Sequence, residues 1–280
     1  MPLTTTAELV LGARAAGTAV AAFNIITLEH VEAVVAGAES AGAPVVLQVS
    51  ENAVAYRLGR LLPLARAAAV AAERADVPVA LHLDHVQSDL LLHQAADAGF
   101  SSVMYDGSRL PYLDNLAATR TAVDRAHARG LWIEAELGEI GGKGAHAPGA
   151  RTDPVEARAF VADSGVDALA VAIGSVHAMT TRTAALDHQL LRRLRAALDV
   201  PLVLHGSSGV PDDELTAAVA GGIAKVNVGT ALNQAMTAAI RAHLTAHPNA
   251  VDTRTYLGAG REAMARTVER IVTRVGLSPA

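Results

Sequence analysis

Short apolar, β-branched runs recur along the chain at Ala19–Asn24, Pro44–Val49, Pro78–Asp84, Ser102–Asp106, Leu131–Leu137, Ala168–Ile173, Pro201–His205 and Ala224–Val228. Between them lie alanine-rich stretches whose apolar residues return every three or four positions: Glu29–Ala41, Leu58–Ala75, Leu90–Ala98, Leu113–Arg129, Pro154–Ser164, Asp187–Leu198 and Pro211–Ala220. Several close on a glycine, at Gly42, Gly99, Gly130, Gly165 and Gly221. Strict alternation of strand and helix predicts parallel strands joined by crossovers. Eight such units in 280 residues fit a closed (β/α)8 barrel, one domain over residues 1–280, better than an open doubly wound sheet. No G-x-G-x-x-G follows the first strand, which also counts against a dinucleotide fold.

The runs end at or near Asn24, Ser50, Asp84-His85, Asp106, Glu136, His177, His205 and Asn227. All are polar, and in such a barrel these ends meet on the face that carries active sites. A polar residue also marks where a strand meets water, but that explains poorly three histidines at strand ends in a chain with 11. Three neutral imidazoles that leave one position open form a ligand set for catalytic zinc, here His85, His177 and His205. Asp84 would stand beside that open position, where a carboxylate can move protons. Asp106 and Glu136 could form a second, looser cation position, with Na+ or K+ as a further candidate; their alternative roles are helix capping or ion pairing. His82 reads as a satisfied polar residue inside strand three, and His30 receives no role.

Composition narrows the classes. With 51% hydrophobic and 18% charged residues, and a mean hydropathy of +0.29, the chain has ample core material and is not disordered. No stretch of about 18 residues stays apolar and uncharged, so no membrane span is expected. A net charge of −5 without a long basic run argues against nucleic acid. The absence of cysteine removes disulfides, thiolate metal sites and a thiol nucleophile together. No signal peptide opens the sequence, and a cytoplasmic location is the default expectation. Two further segments suggest phosphate binding: His205-Gly206-Ser207-Ser208-Gly209 and Asn227-Val228-Gly229-Thr230. Small residues there let backbone N–H groups approach an anion, and the loops after strands seven and eight are the usual phosphate site of the fold.

The chain resembles the class II, metal-dependent fructose-bisphosphate and tagatose-bisphosphate aldolases over nearly its whole length. The matching segments are Ala22-Phe23-Asn24, Leu81–His85, Ser102–Asp106, Glu134–Gly138, Ala172–His177, Leu204–Gly209, Lys225–Val228 and Tyr256-Leu257-Gly258. The resemblance implies a lyase acting on a sugar phosphate, with His85, His177 and His205 binding zinc and Asp106 and Glu136 serving a second cation. It implies that Asp84 exchanges the proton on the oxygen of the aldehyde half. Ser50, Gly206, Ser208 and Asn227, Val228, Gly229 and Thr230 would hold the dihydroxyacetone phosphate half, with Asn24, Ala178 and Ser207 completing the substrate-facing set. Arg254 would reach the distal phosphate from a neighbouring subunit, which implies a homodimer or homotetramer.

Breaking the C3–C4 bond of a ketose leaves a carbanion that a Lewis acid or a lysine Schiff base must stabilise. The chain has two lysines. Lys143 falls in a Gly-rich loop, and Lys225, within strand eight, reads as a structural ion-pair partner, so metal is the stronger expectation. Two positions depart from the family. Gly144 stands where the mobile-loop glutamate would exchange the carbon-bound proton, leaving His146 or Glu139 as substitutes. Ala178 replaces a glycine whose backbone helps bind phosphate. These departures leave open a related enzyme with another phosphorylated substrate or C–C chemistry, or a sugar-phosphate-binding barrel with impaired turnover.

Overall fold

A computed structural model of the chain describes residues 2–137 and 151–276. Eight parallel strands close in sequence order: β1 (Val20–Asn24), β2 (Val45–Ser50), β3 (Val79–Val86), β4 (Ser102–Tyr105), β5 (Trp132–Glu136), β6 (Ala168–Ala170), β7 (Leu202–Leu204) and β8 (Ile223–Val228). β8 pairs with β1 to complete the barrel, with Ala22 opposite Asn227. The helices are α1 (Thr6–Ala16), α2 (Leu28–Ala41), α3 (Glu51–Tyr56), α4 (Leu62–Arg74), α5 (Asp89–Gln94), α6 (Tyr112–His127), α7 (Pro154–Ser164), α8 (His188–Ala197), α9 (Asp212–Gly221), α10 (Thr230–Ala246) and α11 (Thr253–Gly276). α11 packs against α2 and α10.

The alternation of side chains along the strands sorts the core into two materials. Phe23, Leu47, Leu81, Leu83, Val103, Ile133, Leu169 and Val226 belong to one apolar cluster with the buried faces of the helices. A separate cluster of Val10, Val20, Ala22, Val46, Ala80 and Ala224 joins the strands to α1. Small side chains keep that layer narrow, and polar side chains, Gln48, His82, Ser102, Glu134 and Lys225 among them, are also buried on the strands.

The helix expected over Leu58–Ala75 is α4, which starts only at Leu62 and follows a short helix, α3, that the spacing did not mark. Leu58 and Gly59 both take the left-handed conformation (φ 59° and 72°), which ends α3, and α4 restarts with a proline in its first turn. The left-handed cap of α9 is Gly222 rather than Gly221. α1, unmarked by the spacing of apolar residues, begins with a capping box in which Thr5 and Glu8 satisfy each other's backbone N–H.

Candidate active site

The carboxyl ends of the strands surround a cavity of about 500 Å³. Asn24, Ser50, Asp84, His85, His177, Ala178, Gly206, Ser208, Asn227, Gly229 and Thr230, all anticipated from the sequence, line it. Strict alternation would point Asp84 and His85 to opposite sides of β3. The pairing register of β3 with β4 shifts between Leu83 and Val86, and His85 takes a left-handed φ of 52°. The bulge therefore aims both side chains into the cavity. His85 and Ala178 are two of the three non-glycine residues with positive φ among those described, at a cost of about 1–2 kcal/mol each.

His85, His177 and His205 come together although 92 positions separate His85 from His177 and 28 separate His177 from His205. Each offers one nitrogen such that the three lie within 4.8 Å of one another. Their rings meet edge-on, with centroids 5.0–5.8 Å apart. His85 Nδ1 donates to Asp106 Oδ2 at 2.8 Å, which turns its other nitrogen away from that carboxylate. His205 Nε2 donates to Glu134 Oε1 at 2.8 Å, and its Nδ1 is buried without a hydrogen-bond partner among the described residues. An orphaned imidazole nitrogen facing two other imidazoles fits a divalent cation, with carboxylates behind the rings fixing their tautomers.

Behind His205, Glu134 Oε2 accepts from Lys225 Nζ at 2.7 Å, and both side chains are fully buried. Burial alone would raise the Glu134 carboxyl, but the Lys225 charge and the His205 hydrogen bond pull it down to about 2. Burial lowers the pKa of His205 against the pull of Glu134, keeping the ring neutral as a ligand must be. Burial likewise pushes Asp84 up, yet its neighbours His85, His205, His82 and Lys225 hold it below the ordinary carboxylate range. Asp84 Oδ2 accepts from Asn24 Nδ2 at 2.9 Å, and Asn24 Oδ1 accepts from Gln48 Nε2 at 2.9 Å. Asp84 Oδ1 has no hydrogen-bond partner among the described residues.

The loops after β7 and β8 supply small residues. Gly206 has φ 66°, and a Cβ there would lie 2.7 Å from the Val176 carbonyl carbon, so this turn admits only glycine beside the loop that carries His177. Ser208 Oγ accepts from Ala231 N at 3.1 Å, tying the two loops together at the start of α10.

Several expectations need correction. His177 does not end a strand: β6 stops at Ala170 and the histidine lies in the following loop. The ladder ends because Ala172 N donates to Thr152 Oγ1 at 2.7 Å instead. Ser207 does not line the cavity; it is buried and donates to Asn227 O at 2.5 Å. Val228 pairs with Phe23 inside the sheet and packs in the outer apolar cluster. Asp106 backs a histidine: its Oδ2 accepts from His85 and its Oδ1 from Ser108. Glu136 Oε2 is 3.5 Å from His205 Nδ1, while Asn115 Nδ2 donates to its backbone carbonyl. Arg254, expected to serve a neighbouring subunit's site, pairs with Asp252 on the surface. His82 is only half satisfied, for its Nε2 is buried without a partner among the described residues. Lys225 is an ion-pair partner, as expected. Glu139, Lys143, Gly144 and His146 lie outside the described residues.

Other participants went unnoticed in the sequence. Gln48 and Glu134 each stand two positions before an expected site residue, Ser50 and Glu136, and period-two alternation puts them on the same face. Ile26, Asn52, Tyr56 and Asn233 line the cavity from loops and helices, where no such period marks them.

A closed parallel barrel with a three-histidine metal-capable centre, a buried carboxylate and glycine-rich loops at its carboxyl mouth defines a (β/α)8-barrel enzyme. The sequence model of the family described as fructose-bisphosphate aldolase class-II matches residues 4–278. The fructose-bisphosphate aldolase of Staphylococcus aureus is 37% identical over 282 residues, covering 99% of each chain. The crystal structure of the YdjI aldolase from Escherichia coli K12 matches with a TM-score of 0.86 at 32% identity, covering 98% of this chain and 97% of that one. A fructose-bisphosphate aldolase from Campylobacter jejuni, 23% identical with a TM-score of 0.82, shares the fold over 98% of this chain and 95% of its own. The chain belongs to the class II fructose-bisphosphate aldolase family, whose members are metal-dependent lyases. Among the described residues no helix is long and apolar enough to cross a membrane.

Proposed function

We propose that the protein is a zinc-dependent aldolase that cleaves or forms the C3–C4 bond of a phosphorylated ketose such as fructose 1,6-bisphosphate or tagatose 1,6-bisphosphate, with dihydroxyacetone phosphate as one product. The observation that carries this reading is the meeting of three imidazoles, Asp84 and the β7 and β8 loops around one cavity. His85, His177 and His205 would hold the zinc, which when bound supplies Lewis-acid charge where negative charge builds on the ketose. Asp84 would take the proton from the C4 hydroxyl during cleavage and return it during condensation. The Gln48–Asn24 chain fixes one of its oxygens, and the other has no hydrogen-bond partner among the described residues. Gly206, Ser208, Gly229 and Thr230 would hold the phosphate of the dihydroxyacetone half beside the start of α10. Arg254, whose side chain is 88% exposed, is available to the cavity of a neighbouring subunit in a homodimer or homotetramer. A cytoplasmic location suits such an enzyme.

Aldol cleavage assayed over a panel of ketose phosphates, with and without chelator, tests the reading. We expect activity to vanish in EDTA and return with zinc, and His85→Ala to lose stoichiometric zinc. Activity that persists in EDTA, with borohydride trapping a substrate adduct on Lys225, would overturn it.

A further inference from the structure

Two residues in the first turn of α10, Thr230 and Asn233, lie three positions apart on one face, and both line the cavity. Asn233 Oδ1 sits 3.2 Å from Nε2 of His30, and Nδ1 of the same ring sits 3.0 Å from Thr27 Oγ1. His30 is 3% exposed, and burial lowers its pKa, so the ring is neutral and carries one proton. The amide oxygen lies against Nε2, which puts that proton on Nε2, and Nδ1 faces the Thr27 hydroxyl, which also hydrogen-bonds the Glu29 carboxylate. The loop that carries Thr27 is itself fixed, because Arg57 donates twice to Ile26 O at 2.7 and 3.0 Å. With Oδ1 committed to His30, the Asn233 amide presents Nδ2 on its other side, and those donors have no partner among the described residues.

We propose that Asn233 is a substrate-binding residue that donates a hydrogen bond to the phosphate held at the start of α10, and that His30 and Thr27 are positioning residues that set its amide. This rests on the sugar-phosphate reading above. A neutral amide donor adds to the backbone donors of the loops, and its hydrogen bond to an anion is stronger than one to a neutral hydroxyl group.

The test is titration of the zinc-loaded full chain with dihydroxyacetone phosphate and, separately, with inorganic phosphate. Asn233→Asp keeps an acceptor for His30 but sets a carboxylate against the ligand, and should weaken binding of both by more than about 10-fold. Asn233→Ala should weaken it by about 3- to 10-fold, and His30→Phe in the same direction. In the Asn233→Ala background, His30→Phe should add nothing, which a merely structural histidine would not show. Thr27→Val, which leaves the ring in place, gives the same cycle if His30→Phe does not fold. Unchanged affinity in Asn233→Asp, or effects of the single variants that multiply in the double variant, would overturn the relay. Failure of the unaltered chain to bind either probe would instead overturn the sugar-phosphate reading beneath it.

Discussion

The two sides of β2, β3 and β5 are built of different materials. On β2, β3 and β5 the outward positions Leu47, Val49, Leu81, Leu83, Ile133 and Ala135 are apolar and join the helices in one cluster. The inward positions Gln48, Ser50, His82, Asp84, Glu134 and Glu136 are polar or ionisable, and all but Ser50 are buried. Parallel strands covered by helices usually read as continuous apolar runs, because both faces are dry. Here the outer face supplies the burial that holds the fold, and the inner face supplies chemistry. The inner face remains tolerable because its charges are paired: Glu134 sits between Lys225 and His205, and Asp84 accepts from Asn24.

Two substitutions set those faces against each other. Asp84→Asn keeps an oxygen that can accept from Asn24 but removes the group proposed to move the C4 proton. Turnover should fall by about 10²–10⁴-fold with little change in the unfolding midpoint. Near-wild-type turnover in this variant would mean that another group handles the proton. Leu47→Ala removes a fully buried outward side chain and should cost about 2–5 kcal/mol in urea unfolding, with zinc content and turnover per folded molecule retained. A large loss of turnover at full folding would show that the two faces are coupled rather than separable.

The same contrast explains what could be read in the sequence. The barrel was legible because eight apolar runs alternate with amphipathic stretches, and pairing in chain order needs no further information. Asn24, Asp84, His205 and Asn227 were legible because they stand at or beside strand ends, where the backbone fixes the direction of the side chain. His177 was found as a residue but misplaced, since the Thr152 hydroxyl that ends β6 lies 20 positions upstream of Ala172. The bulge at Asp84-His85 is a pairing shift with no local sequence mark. Asn233 and His30 meet across 203 positions, on helices whose apolar spacing says nothing of their polar faces. Residue type marks Asp106 as part of the site, and only the distance to His85 shows that it backs the ring.

The smallest expected effect concerns His82, one of the fully buried inward polar residues. Its ring is fully buried, with Nδ1 2.7 Å from Ser102 Oγ. Ser102 donates to Thr6 Oγ1 at 2.6 Å, so the serine oxygen accepts from His82 and the proton of the ring is on Nδ1. A second proton on Nε2 would create a buried cation without a hydrogen-bond partner, near the ammonium of Lys225. Burial, with Lys225 adding to it, accordingly pushes the pKa down to about 3. In the unfolded chain an ordinary histidine titrates near 6.5. Because the folded value is the lower one, the neutral ring contributes full stability above about pH 6.5, and this is lost progressively as the pH falls toward 3. Between pH 7.5 and 5.5 the loss attributable to His82 should be about 1 kcal/mol. Urea unfolding of the chelator-treated protein and of His82→Asn at both pH values isolates it, since the other buried histidines contribute to both proteins. The difference in stability between the two pH values should be smaller in the variant. Equal differences would show that the folded barrel accepts a proton at His82 by pH 5.5, and that its interior is wetter than its closed packing implies.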